Sequence, residues 1–170
     1  MLGKKRIIIF FVFVGIFLLS YTIGTMYKMS EDDVRKFLKE FHSTTNGIGA
    51  IGIFLHNSSV ALPMFVPGFG AAWGTFTGWE TGAAFRVLVI ENPQLADAPP
   101  VTIFLSSPFG VMELVAYSIG MSRSCLLTWS LIRRRGIRAQ VRPGIIEAGI
   151  VLALLLAGGF VEYGFIHHLL

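Results

Sequence analysis

The stretch "FLSSPFGVMELVAYSIG", residues 104–120, decides how the chain is divided into elements. It lies inside an apolar run from 101 to 132, too long for one straight membrane crossing of about 20 residues. Pro108 and Gly110 interrupt that run. Proline has no N–H and is accepted in the first turn of a helix far better than in its interior. The reading is therefore a separate short piece over 101–107, with the main helix starting near Pro108. Glu113 then falls a turn or so inside that helix. Near a helix start, free N–H groups and the helix dipole favour a carboxylate. Capping or packing is thus a complete structural account of Glu113, beside two functional ones, proton or ion handling and partner recognition.

The rest of the chain shares this preference for an apolar solvent. Of 170 residues, 54% are hydrophobic and only 14% charged, where a soluble domain carries about a quarter. Apolar segments at 7–27, 47–66, 69–90 and 144–166 join 108–132 to give five expected spans. The expected fold is all-α, a polytopic transmembrane helical bundle forming one integral membrane domain over 1–170. The first segment opens with Lys4, Lys5 and Arg6 like a signal peptide. Its apolar stretch runs on to about Tyr27 with no small-residue cleavage site, which predicts an uncleaved membrane helix. After it, Ser30 precedes Glu31, Asp32 and Asp33, and Val34, Phe37, Leu38 and Phe41 recur at helical spacing. This pattern predicts an amphipathic interfacial helix over about 30–42.

The distribution of charge predicts a topology. Basic residues flank membrane spans on the cytoplasmic side. Five crossings place both Lys4–Arg6 and the cluster "RRRGIRAQVR", 133–142, in the cytoplasm. They place the base-free loop 91–100 and the C-terminal His167 and His168 outside, whereas four crossings would separate the two basic clusters. The arginine cluster is read as this topology signal, and no nucleic-acid partner is expected. The lipid bilayer and other membrane proteins are the expected partners.

Polar residues inside apolar spans cost free energy and normally face a bundle interior. His56, Asn57, Glu80, Glu113 and Glu162 form the candidate intramembrane polar site on that ground. Ser58 and Ser59 follow Asn57, and interhelical hydrogen bonding is the plain reading of that group. Gly70, Gly74, Gly78 and Gly82 recur every fourth residue and predict a face for close helix packing. Its partner is expected within the chain; a second copy, giving a homo-oligomer, is the alternative. Glu80 projects from roughly the opposite side to Gly78, and Arg86 is expected to reach toward the interface. Cys125 is the only cysteine and is expected to be a buried apolar residue. No nucleophile elbow, metalloprotease motif or phosphate loop occurs, so no catalytic residue, metal ligand or cofactor is expected.

Four of these stretches, "IFLHNSSVAL" (53–62), "VPGFGAAWGTFTGWETGAAF" (66–85), "SSPFGVMELVAYSIG" (106–120) and "LALLLAGGFVEYGF" (152–165), resemble in that order the stage II sporulation protein M family. Its members are small multi-helix integral membrane proteins. They carry an Asn in the second span, Pro-His-Gly with a Glu three residues later in the fourth, and a Glu near the end of the last. Asn57, Pro108, Gly110, Glu113 and Glu162 match that pattern, while Phe109 takes the His place and Trp79 stands where an Asn is expected. The resemblance implies a membrane fold. It also implies a role like that of the named member, which helps hold peptidoglycan-remodelling enzymes at the membrane during engulfment. The expected function is a non-enzymatic scaffold for a larger membrane complex. The alternatives are a transporter or channel component with a polar intramembrane path, and an accessory subunit of a membrane-bound enzyme.

Overall fold

The computed structural model describes residues 3–45, 47–134 and 138–169. Among the described residues seven α-helices follow one another: α1 Lys4–Thr25, α2 Glu31–Thr45, α3 Ala50–Ala61, α4 Gly70–Glu91, α5 Pro100–Ser106, α6 Pro108–Ile132 and α7 Arg138–Leu169. Short 3₁₀ turns at Leu62–Phe65 and Pro93–Asp97 lie between them, and the described residues include no strand. The side chains of Phe41, His167 and His168, and residues 135–137 of the arginine cluster, lie outside the described residues.

The break at Pro108 falls where the sequence places it. Ser107 is the N-cap of α6, accepting a hydrogen bond from the Gly110 N–H at 3.2 Å and donating to the Phe104 carbonyl at 2.8 Å. A Cβ at Gly110 would run into both the Ser107 Oγ and the Phe104 carbonyl, so the tight turn requires glycine there. The chain bends by 95° between α5 and α6. The capping role foreseen for Glu113 thus belongs to Ser107, which is nearer the helix start and in reach of the free N–H. Ser30 caps α2 in the same manner, accepting from the Asp33 N–H at 3.2 Å while donating to its carboxylate at 2.6 Å.

Several boundaries differ from expectation. The interfacial helix runs to Thr45 instead of 42, and α1 ends at Thr25 instead of 27. The segment expected as one helix over 47–66 is α3, starting at Ala50, followed by the 3₁₀ turn that accommodates Pro63. The last helix starts at Arg138, not at 144, and Pro143 lies inside it beyond the first turn, where its missing N–H leaves out one bond of the helix ladder.

Among the described residues, two helices are long and apolar enough to cross a membrane, α1 and Gln140–Phe165 of α7, or three if the bent α5–α6 pair is one span. That is fewer than the five expected. The α3 segment with its turn is too short, about 26 Å at helical rises, and α4 is diluted by glycines, threonines, Glu80, Arg86 and Glu91. The apolar faces point outward: Ile8, Phe11, Val12, Leu19 and Ile23 of α1 and Ile145, Ile146 and Phe160 of α7 are exposed. Such contiguous apolar surface calls for a non-aqueous neighbour.

The five long elements nevertheless alternate in direction. Phe17 and Tyr21 of α1 meet Gly78 and Gly82 of α4, so these two run parallel. Asn57 meets Glu113 and Val66 meets Ser124, so α3 and its turn run parallel to α6. Arg123 meets Glu147 while Gly158 faces Met112, so α6 and α7 are antiparallel. Phe17 meets Tyr117 and Arg6 reaches Ser122, so α1 opposes α6. The start of α1, the end of α6 and the start of α7 therefore share one end, here called the basic end.

The glycines of α4 serve internal contacts. A Cβ at Gly82 would strike the Tyr21 carbonyl, one at Gly78 would come within 3.1 Å of the Phe17 carbonyl, one at Gly74 would enter Met121, and one at Gly70 would strike the Met64 carbonyl. Gly24 of α1 answers from the other side, against the Trp79 carbonyl. The core that results contains Phe17, Met64, Met121, Val151 and Leu155, each 0% exposed. Cys125 packs beside this core but is half-buried, not fully buried as expected.

Candidate functional site

Away from the basic end, α3, α4, α6 and α7 part to leave a cavity of about 470 Å³. Its walls bring together His56 and Asn57 from α3, Glu80 from α4, Glu113 and Tyr117 from α6, and Glu162 from α7. Phe37 and Glu40 of α2 also line it, so the amphipathic helix lies over the opening. All five residues singled out for a polar site thus border one space. The parallel register of α3 and α6 does this, carrying Asn57 to Glu113, 56 positions away in sequence.

The Asn57 Nδ2 donates to the Glu113 Oε1 at 2.7 Å. Asn57 is buried, which fixes its amide and through it the Glu113 carboxyl. Glu162 stands close enough for the two carboxyls to feel each other's charge. Glu162 and the exposed Glu80 have no hydrogen-bond or ion-pair partner among the described residues. No Lys or Arg occurs among the described residues of the lining. His56 is exposed, so its side chain borders the cavity while Ser58, two residues on, is buried on another face. No group of three His, Cys, Asp or Glu side chains suited to a metal ion occurs among the described residues.

Sequence reasoning did not single out Tyr117. It lies four residues after Glu113, hence on the same helix face, and it lines the cavity at only 4% exposure. Its ring leans on Phe17, centroids 5.7 Å apart. Its hydroxyl has no hydrogen-bond partner among the described residues. Phe109, in the place of the family's His, packs edge-on against Phe165 at 6.0 Å and is absent from the lining. Trp79 stacks with Phe76 at 5.8 Å, away from the cavity. Arg86 is exposed and borders a smaller hollow with Tyr27 and Lys28.

A second polar centre occupies the basic end. Glu147 receives two bonds from Arg123, at 2.7 and 2.6 Å, and two from Arg6, both at 2.9 Å. Arg6 also donates to the Ser122 hydroxyl at 2.6 Å, and Arg123 to the Gln140 side chain at 2.8 Å. The three charged side chains are 4–11% exposed. Arg6 enters the sequence argument only as a topology signal, and neither Arg123 nor Glu147 enters it at all. The available signal was an arginine and a glutamate each embedded in an apolar segment, which need a partner.

No curated protein and no solved structure matches the chain. The model of the family described as stage II sporulation protein M matches residues 7–166, from the second turn of α1 to the last turn of α7. With the Asn57–Glu113 contact and Glu162 brought to one cavity, and with all but the ends of the chain matched, this protein belongs to the stage II sporulation protein M family.

Proposed function

We propose that the protein is a non-enzymatic, multi-pass membrane protein that acts as a rigid platform for a larger membrane complex. The observation that carries this reading is the floor of the cavity. Below Tyr117 the helices close on Met64, Met121, Val151 and Leu155, each 0% exposed, and beyond these lies the Arg6–Glu147–Arg123 cluster. A recess closed at its base suits holding a group presented by a partner better than passing a solute. Backbone-close packing at Gly24, Gly78 and Gly82 adds rigidity.

In this proposal all five alternating elements cross the bilayer, with α3 and α4 screened by their neighbours. The N-terminus and the 133–142 loop face the cytoplasm, and the cavity and C-terminus face outward. The alternation of direction and the clustering of basic residues at one end support that arrangement. Purification in mild detergent tests the function: a reproducible membrane-protein partner is expected, and a solitary monomer would sink the idea. A homo-oligomer would make the platform self-assembling.

A second reading, a transporter or channel component, draws on the carboxyls of the cavity. Proteoliposome flux that drops in Glu113→Gln would favour it over the platform. An accessory subunit of a membrane-bound enzyme is distinguished from both by enzymatic activity of the purified complex.

A further inference from the structure

We propose that the cavity between α3, α4, α6 and α7 binds an organic cation, a primary ammonium or guanidinium group carried on a short apolar stem. This goes beyond the platform reading and does not depend on it.

Three observations converge. Glu80, Glu113 and Glu162 line a space of about 470 Å³ with no Lys or Arg among the described residues of its walls. In apolar surroundings such carboxyls call for a counterion. Asn57 holds the Glu113 carboxyl from one side at 2.7 Å and leaves its other oxygen free of any hydrogen bond among the described residues. Tyr117, 4% exposed and without a hydrogen-bond partner among the described residues, borders the same space and offers a hydroxyl acceptor for an N–H donor.

The remaining walls set the ligand's class. Ile53, Val60 and Ala84 are apolar and suit a short hydrocarbon stem. Among the described residues of the lining, four carboxyls, Glu40, Glu80, Glu113 and Glu162, face one imidazole, His56, and no Lys or Arg, which disfavours any ligand that brings its own phosphate or carboxylate. A metal ion is disfavoured because no cluster of three suitable ligands exists among the described residues. An ammonium or guanidinium group satisfies Glu113 and Glu162 by charge-assisted hydrogen bonds. Its source is either a small free amine or a basic side chain on a membrane-spanning partner.

The test uses the full chain purified in detergent. In one arm n-butylguanidinium chloride is titrated by calorimetry, with n-butanol and sodium chloride as controls. In the other, a leucine-rich single-span peptide with one Lys is compared with its Gln counterpart in a co-reconstituted proximity assay. Saturable binding of n-butylguanidinium but not n-butanol assigns a small amine; preference for the Lys peptide assigns a partner side chain. The combined Glu113→Gln, Glu162→Gln substitution is expected to weaken binding about tenfold or more, and Tyr117→Phe by about threefold, from the loss of hydrogen bonds to a charged group. Should the combined variant not fold, Tyr117→Phe and the n-butanol comparison carry the decision. No saturable binding in either arm, or equal binding of n-butanol, or undiminished binding in the carboxyl variant, would overturn the proposal. A negative result here leaves the platform reading intact, since co-purification tests that separately.

Discussion

At the basic end, Glu147 faces two guanidiniums that together donate four hydrogen bonds to it. At the other end, Glu113 and Glu162 border a cavity with no Lys or Arg among the described residues of its walls. Both centres place carboxyls in apolar surroundings, at similar energetic risk. In the first, the counterions come from α1 and α6, and the result ties three helices together with no space left over. In the second, one amide holds one carboxyl, and the space remains. Full internal pairing makes a structural clamp. Partial pairing beside an open volume makes a receptor for whatever supplies the missing charge. The same residue type therefore carries opposite roles, and only the partners distinguish them.

This contrast breaks first at Glu147. Glu147→Ala leaves Arg6 and Arg123 uncompensated and is expected to cost about 3–5 kcal/mol, read as loss of helicity at lower denaturant in a detergent unfolding titration. A variant as stable as the parent would remove the clamp from the account. Next is the α1–α4 contact. Gly82→Ala drives a Cβ into the Tyr21 carbonyl and should cost about 1–3 kcal/mol by forcing the helices apart, a loss that Gly15→Ala, with open space around it, should not show.

At the cavity the expected effects are smaller. Asn57→Ala removes the amide from Glu113 and should cost about 1–2 kcal/mol, within the range for interhelical hydrogen bonds in membranes. Unchanged stability would mean that the amide does not hold that carboxyl. Smallest of all, Glu80→Gln alters an exposed, unpaired side chain and should stay within about 0.5 kcal/mol of the parent. A larger loss in the same titration would show that Glu80 has a structural partner.

The local parts of this architecture are legible in the residues. Pro108 and Gly110 mark the bend because their backbone chemistry acts within one turn. Ser30 marks a cap for the same reason. The α4 glycines declare a packing face, though not that Gly24 answers it from 50 or more residues away. The polar candidates stand out singly because each is costly in an apolar segment. Their convergence is not legible, because it depends on the register between α3 and α6. The clamp is harder still: Arg6 and Glu147 are 141 positions apart, and Arg6 already had an explanation as a flanking charge. Tyr117 passes as an ordinary core aromatic until the cavity beside it is seen. The number of spans diverges for a different reason. α3 with its turn is short, and α4 is diluted by glycines, threonines and charged residues within what reads as a continuous apolar run.

The most direct test compares the two centres in one experiment, unfolding and n-butylguanidinium binding measured on Glu147→Gln and on the combined Glu113→Gln, Glu162→Gln variant. The account predicts a crossed result. Glu147→Gln should lose stability and, while folded, retain binding; the cavity variant should keep its stability and lose binding. A cavity variant that unfolds as readily as Glu147→Gln, with binding lost in both or in neither, would contradict the division into clamp and receptor.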